Sequence, residues 1–262
     1  MIWVLVVHSW FAAFEARLPA AAVEGRGGPS VAWAGDGDPL DANPALAAVA
    51  TNRAELGGGL TRPLGFSDLG LGGLWARAKP WGGLGLAVRW KSLGAGEIYR
   101  EDAWGADLAW RSGSIAVGAG LRAGHVNLEG ENLGGPWGGA AGIRAQVVEG
   151  FSLAASLEDP SLWTSGRMSQ PWLVGLGAAL SGKDTSWAGD VSLERREGWG
   201  WSGKMGQELR LEPLRFRAGL RANPWTISVG IGGGVRNVRL DWAMEGEPIL
   251  GWQHHISMAW SL

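Results

Sequence analysis

Few side chains in this sequence could carry out chemistry. There are four histidines and no cysteine. Lack of cysteine excludes a disulfide scaffold, cysteine-containing zinc sites and thiol catalysis. His8 lies in an apolar N-terminal stretch and His125 at the end of an alternating segment. His254 and His255 are adjacent in another such segment, so they face opposite sides and cannot chelate one ion together. No Gly-x-Ser-x-Gly elbow occurs. The Gly-rich run at 230–234 lacks the lysine and following helix of a phosphate loop. The net charge is −2 and no basic-aromatic tract is present, so a nucleic-acid partner is not expected. Nor is a catalytic residue, a metal site or a cofactor.

The remaining chemistry belongs to charge. Arg89, Asp107, Arg122, Arg144, Asp190, Glu194, Glu208, Arg210, Arg217, Arg221, Arg239 and Asp241 recur inside alternating segments, each beside apolar neighbours. Buried charges need partners, so one reading is a set of ion pairs between neighbouring strands. The other is a selectivity lining along a solute path. Asp241 with Arg217 or Arg239 is the pair to inspect first.

The elements that must position these charges are legible from period-two alternation. Leu84, Leu86, Val88 and Trp90 interleave with Gly85, Ala87 and Arg89. Ile115, Val117, Ala119 and Leu121 interleave with Gly118, Gly120 and Arg122. Trp172, Val174, Leu176, Ala178 and Leu180 interleave with Gly175, Gly177 and Ala179. Such alternation is that of β-strands with two unlike faces. One face is Leu, Val, Ile and Trp; the other is Gly, Ala, Ser and charged residues. Repeated through most of the chain, it predicts an all-β fold: a closed antiparallel transmembrane β-barrel, lipid outside and polar lumen inside. The 18 Trp residues fit aromatic belts at the two bilayer interfaces, and many of the 45 Gly residues fit a crowded inner wall. A soluble Gly- and Trp-rich β-protein, such as a carbohydrate binder, is the alternative.

Fourteen strands are counted, near 53–63, 67–79, 83–93, 101–111, 114–126, 137–148, 151–158, 170–180, 186–196, 201–212, 215–222, 226–235, 238–245 and 252–262. Connections after even strands are tight, whereas 94–100, 127–136 and 159–169 are expected to be longer loops. Short turns on one side and longer loops on the other is the outer-membrane arrangement, with the turns periplasmic. The phase slips near Gly72 and Gly73, which suggests a bulge. Strand ten carries Gly203 and Gln207 on its outward face. Residues 1–22 read as a secretory leader ending in Ala20, Ala21 and Ala22, although no Lys or Arg precedes its apolar run. Residues 23–51 are turn-rich and then helix-like, with Asn43 as cap and Pro44 at the first helical position. They are expected to form a plug before the barrel at 52–262.

Two stretches carry a resemblance. DPLDANPALAAV (38–49) holds an acidic stretch, then Asn43, Pro44 and Ala45 before a short helix. The chain's end reads RFRAGLRANPWTISVGIGGG (215–234), LDWAM (240–244) and LGWQHHISMAWSL (250–262). Together they resemble the superfamily of FadL-type fatty-acid channels and PorV-type secretion-associated barrels, the PorV-like branch most closely at the C-terminus. The resemblance implies fourteen strands, an N-terminal segment in or under the lumen, and a place in the bacterial outer membrane. It implies a plug or gate at Asp36, Asp38, Asp41, Asn43, Pro44 and Ala45. The lumen lining by alternation is Arg89, Asp107, Arg122, Arg144, Asp190, Glu194, Arg217, Arg239 and Asp241. Partners beyond the lipid bilayer divide by branch. The C-terminal motifs favour a docking scaffold that holds a secreted or periplasmic protein; the alternative is a passive channel for a hydrophobic or small solute.

Overall fold

The computed structural model describes residues 20–28, 30–33, 42–62, 69–95, 98–164, 172–182, 186–196, 200–247 and 251–262. Residues 1–19 of the expected leader (1–22) and the expected gate residues Asp36, Asp38 and Asp41 lie outside the described residues.

The strands are β1 (Ala54–Thr61), β2 (Leu69–Ala78), β3 (Leu84–Ala95), β4 (Tyr99–Ser112), β5 (Ile115–Leu128), β6 (Glu131–Gly134), β7 (Pro136–Val148) and β8 (Phe151–Thr164). They continue as β9 (Leu173–Ser181), β10 (Trp187–Arg196), β11 (Gly200–Leu211), β12 (Leu214–Arg221), β13 (Thr226–Val235), β14 (Val238–Glu247) and β15 (Gly251–Ser261). β6 and β7 lie end to end along β5, so fourteen strands form the wall. Every pairing is antiparallel. β15 returns to β1, with Glu55 opposite Ser261 and Gly59 opposite Ser257. The sheet therefore has no free edge, as a lipid environment requires.

Alternation decides which face each residue takes. Leu86, Val117, Leu176, Val191, Val229 and Trp260 face outward and are each at least 40 % exposed, in a girdle that water would not tolerate. Arg122, Asp190, Glu194, Arg217 and Asp241 are buried on the inner face. Trp110 and Trp187 mark the tight-turn end of the outer surface, and Trp104, Trp137 and Trp201 lie nearer the opposite end.

Three expectations need correction. The register of β2 against both neighbours is continuous, so there is no bulge at Gly72 and Gly73. The apparent slip arises because Leu71 and Trp75 point inward, where Trp75 packs with Ala20, Val23 and Ala259. The loop expected at 127–136 is mostly strand. β5 and β6 are joined at Glu129 and Gly130, with φ of 52° and 84°, the left-handed pair of a tight hairpin turn. Likewise β8 runs on to Thr164, where a loop was expected from 159.

A short helical turn, Ala21–Glu24, packs on β13, β14 and β15, and a 3-10 helix, Pro44–Ala48, on β3, β4, β5 and β7. Both lie inside the barrel, where Ala21, Val23, Ala45 and Ala47 are completely buried. The inner wall lacks side chains where these segments press on it. A Cβ at Gly85 would overlap the Ala47 carbonyl, and one at Gly219 the Arg26 backbone. At Gly230 it would come within 3.1 Å of the Gly25 Cα. These glycines serve close approach.

Candidate functional site: lumen and wall recess

Asn43 is the node that ties the internal segments to the wall. It is fully buried, in extended backbone, and its Oδ1 accepts from the Ala45 N–H at 2.9 Å, capping the 3-10 helix. Its Nδ2 faces the carbonyl oxygens of Val31 at 2.9 Å, Ile143 at 3.2 Å and Ala155 at 3.5 Å. One amide thus joins both parts of the inner segment to β7 and β8. Pro44 supplies the fixed φ of the first helical position. A Cβ at Gly118 would come within 2.8 Å of the Ala45 Cα, so Ala45 rests against β5.

The first helical turn is held by different contacts. The Ala21 N–H donates to Ser257 Oγ at 3.0 Å and the Val31 N–H to Ser192 Oγ at 3.3 Å. The Arg26 guanidinium stands 3.6 Å over the Trp33 ring and 3.5 Å from Asp190 Oδ1. Arg144 Nε donates to the Ala32 carbonyl at 2.8 Å. Where the segment leaves for β1, Lys79 Nζ donates to the carbonyl of Ala50. Burial, then the neighbouring Arg77 and Arg111 charges, pull the Lys79 pKa below its usual value.

The wall charges are brought together in pairs and short chains. Asp107 joins Arg122 at 2.6 Å and Arg89 at 3.3 Å. Lys204 meets Glu194 at 2.6 Å. Arg217 bridges Glu208 and Asp241, both at 2.7 Å, while Arg210 and Arg239 back those carboxylates at 2.7 Å each. Asp241 therefore meets both suggested arginines. Arg144 and Asp190 instead serve the inner segment. Sequence reading missed Arg26, Glu55, Arg77, Lys204 and Glu245. Glu55 accepts from Arg77 at 3.2 Å and from Trp75 Nε1 at 3.1 Å. Arg221 reaches Glu245, and Thr61 shares a 2.7 Å hydrogen bond with His255. The spacing of Glu55 from Gly57 and Gly59 on one face of β1 was the available signal. Among the described residues no cluster of three metal-ligating side chains occurs.

One sector of the wall is irregular. The β5–β7 ladder ends at Ala123 opposite Trp137, and β5–β6 pairing resumes at Val126 opposite Gly134. On the other side of β7, pairing jumps from Trp137 opposite Trp163 to Gly139 opposite Asp159, which leaves extra residues in β8. Pro160 falls in that bulge, a position where a strand tolerates proline. Beside the break between Ala123 and Val126 lies a recess of about 710 Å³, lined by outward-facing Val88, Trp104, Ala106, Leu121 and Trp137 and including Arg89 and Arg122 of the inner row.

No protein-family model matches the chain, and comparison with curated proteins finds no relative. Solved structures do match. The Pseudomonas putida toluene transporter TodX aligns with a TM-score of 0.63 at 12 % identity, over 94 % of this chain and 97 % of that one. A deletion mutant described as the TodX monoaromatic hydrocarbon channel gives 0.64 at 12 % identity, over 93 % and 96 %. The Acinetobacter baumannii outer membrane protein Omp33 gives 0.56 at 8 % identity, over 80 % and 98 %. At such identities the likeness concerns the fold, that of bacterial outer-membrane barrels, and the closed wall with its apolar girdle agrees with it.

Proposed function

We propose that this chain is a passive outer-membrane channel for hydrophobic or small solutes, with residues 20–50 as a plug across its tight-turn side. The observation that carries this reading is the largely apolar recess beside the interrupted ladder of β5. Where ladder hydrogen bonds are missing, strands part at least cost, and the recess there joins the lipid face to residues of the inner row. The plug blocks straight passage, so a sideways route between lumen and bilayer fits better than an open pore. The neighbours described as a toluene transporter and a hydrocarbon channel support the channel reading. The docking-scaffold reading rests on the C-terminal resemblance alone. We include Asp36, Asp38, Asp41, Asn43, Pro44 and Ala45 in the gate. Ala20 to Ala22 are buried inside the barrel, so we place the end of a cleaved leader before Ala20, earlier than the expected end at Ala22.

The test uses the full chain in planar bilayers and liposomes. The intact protein should conduct little while admitting an apolar fluorescent solute such as pyrene. Deleting 23–50 should raise single-channel conductance. Ala106→Trp, which fills the recess from its outer side, should slow pyrene entry and leave conductance unchanged. An intact chain that conducts like an open porin refutes the plug. Pyrene entry unaffected by Ala106→Trp refutes the sideways route. A deleted form that stays closed would mean that the barrel's own side chains fill the lumen, and the scaffold reading would gain.

A further inference from the structure

The outward row of β11 is Trp201, Gly203, Met205, Gln207, Leu209 and Leu211. Gln207 is the polar exception, and its side chain is exposed on the lipid face. It lies between two aromatic levels. Leu209, one outward step toward the tight turn, pairs with Trp187, and Trp201 closes the other end of the row. Within that band, hydrocarbon tails offer an amide neither donor nor acceptor. Two other polar groups on the described lipid face have aromatic cover. His254 stacks on Trp242 at 6.0 Å, and Arg195 lies 5.4 Å from the Trp172 ring and 5.8 Å from the Trp201 ring. Gln207 has no hydrogen-bond partner among the described residues.

Its surroundings are shallow. Gln207 stands opposite Gly189 on β10 and Ala218 on β12. A Cβ at Gly189 would meet only the Gly206 carbonyl at 3.5 Å and Gln207 Cγ at 4.0 Å, and one at Gly203 would meet nothing within 4 Å. The amide is therefore a polar knob flanked by dents in an otherwise bulky girdle. In membranes, small residues let backbones approach, and polar side chains hydrogen-bond across the interface.

We infer that this patch is a two-fold interface with a second copy of the chain, centred on a Gln207–Gln207 hydrogen bond. An amide is both donor and acceptor, so it is complementary to itself. Copies inserted with the same topology present Gln207 at the same depth, so a two-fold axis along the membrane normal brings the pair together without mismatch. An isologous contact of this kind closes at the dimer.

The chain lacks cysteine, so single cysteines report cleanly. Met205→Cys, beside the knob with Gln207 intact, should crosslink in lipid vesicles to a band at about twice the 27.6 kDa chain mass. Val117→Cys, on the lipid face of β5, should not. Adding Gln207→Leu to Met205→Cys should weaken dimerisation about tenfold on dilution in lipid, and Gln207→Asn should retain most of it. Heat-modifiable gel mobility checks that each variant forms a barrel. Crosslinking at 205 no greater than at 117 overturns the inference. So does a Gln207→Leu barrel that dimerises like the native chain.

Discussion

Replacing Asn43 with alanine tests how the inner segments are held. The substitution removes the side-chain cap on the Ala45 N–H, a loss of about 1 kcal/mol. It also deprives the buried Val31 carbonyl of its 2.9 Å donor. A buried polar group left without its partner costs about 1–3 kcal/mol. Ile143 and Ala155 already lie within the β7–β8 ladder, so their carbonyls add little. The sum is about 2–4 kcal/mol, and it falls on docking of the segment rather than on closure of the barrel. Since about 1.4 kcal/mol is tenfold in an equilibrium, amide hydrogen exchange across 42–50 should accelerate by about thirtyfold to several hundredfold. Exchange in β13 and β14, remote from Asn43, should stay as it is. Mass spectrometry of peptic fragments from the protein in lipid nanodiscs would read both regions at once. Exchange across 42–50 within about twofold of the native rate would refute Asn43 as the node.

Two further predictions concern the two faces of the wall. Leu176→Arg, on the lipid face of β9, should cost about 2–4 kcal/mol of stability in bilayers; urea unfolding in vesicles followed by tryptophan fluorescence should show it, and an unchanged midpoint would count against the lipid-facing assignment. Arg217→Met should cost about 3 kcal/mol by the same assay, at the low end for a broken buried pair because Arg210 and Arg239 remain on Glu208 and Asp241; a loss below about 1 kcal/mol would mean that the pairs bear little weight.

Much of this fold is legible in the chain because a wall with two unlike solvents writes its period into every strand. β5, β9, β13 and β15 have ends within a few residues of where their alternation starts and stops. Interruptions read poorly where their cause was distant. Trp75 disturbed the pattern of β2 because its apolar neighbours Ala20 and Val23 come from far upstream. The turn at Glu129 and Gly130 lacked the Asn-Gly or Asp-Gly signature that marks such hairpins. The broken ladders beside Gly135 depend on register against two neighbours, and register cannot be read from one strand alone. The charges of the inner face were recognisable by type, and some partners by position, as with Asp241. The partnership of Asp190 with Arg26 joins an N-terminal segment to β10 and has no local trace.

The seam between β1 and β15 has a consequence for assembly. The ladder that abolishes the sheet edge joins the first strand to the last, so nearly the whole chain must be paired before the barrel exists. Any shorter product is not a narrower barrel but an open sheet with two bare edges. A chain ending after Glu247 would leave β1 and β14 each with one unpaired edge, although every other hairpin could form. Closure is accordingly an all-or-none event, reached late because its contact spans the largest separation of any strand pairing in the wall. Surveillance in the cell could recognise unfinished molecules by those edges alone, whatever the rest of the wall had achieved.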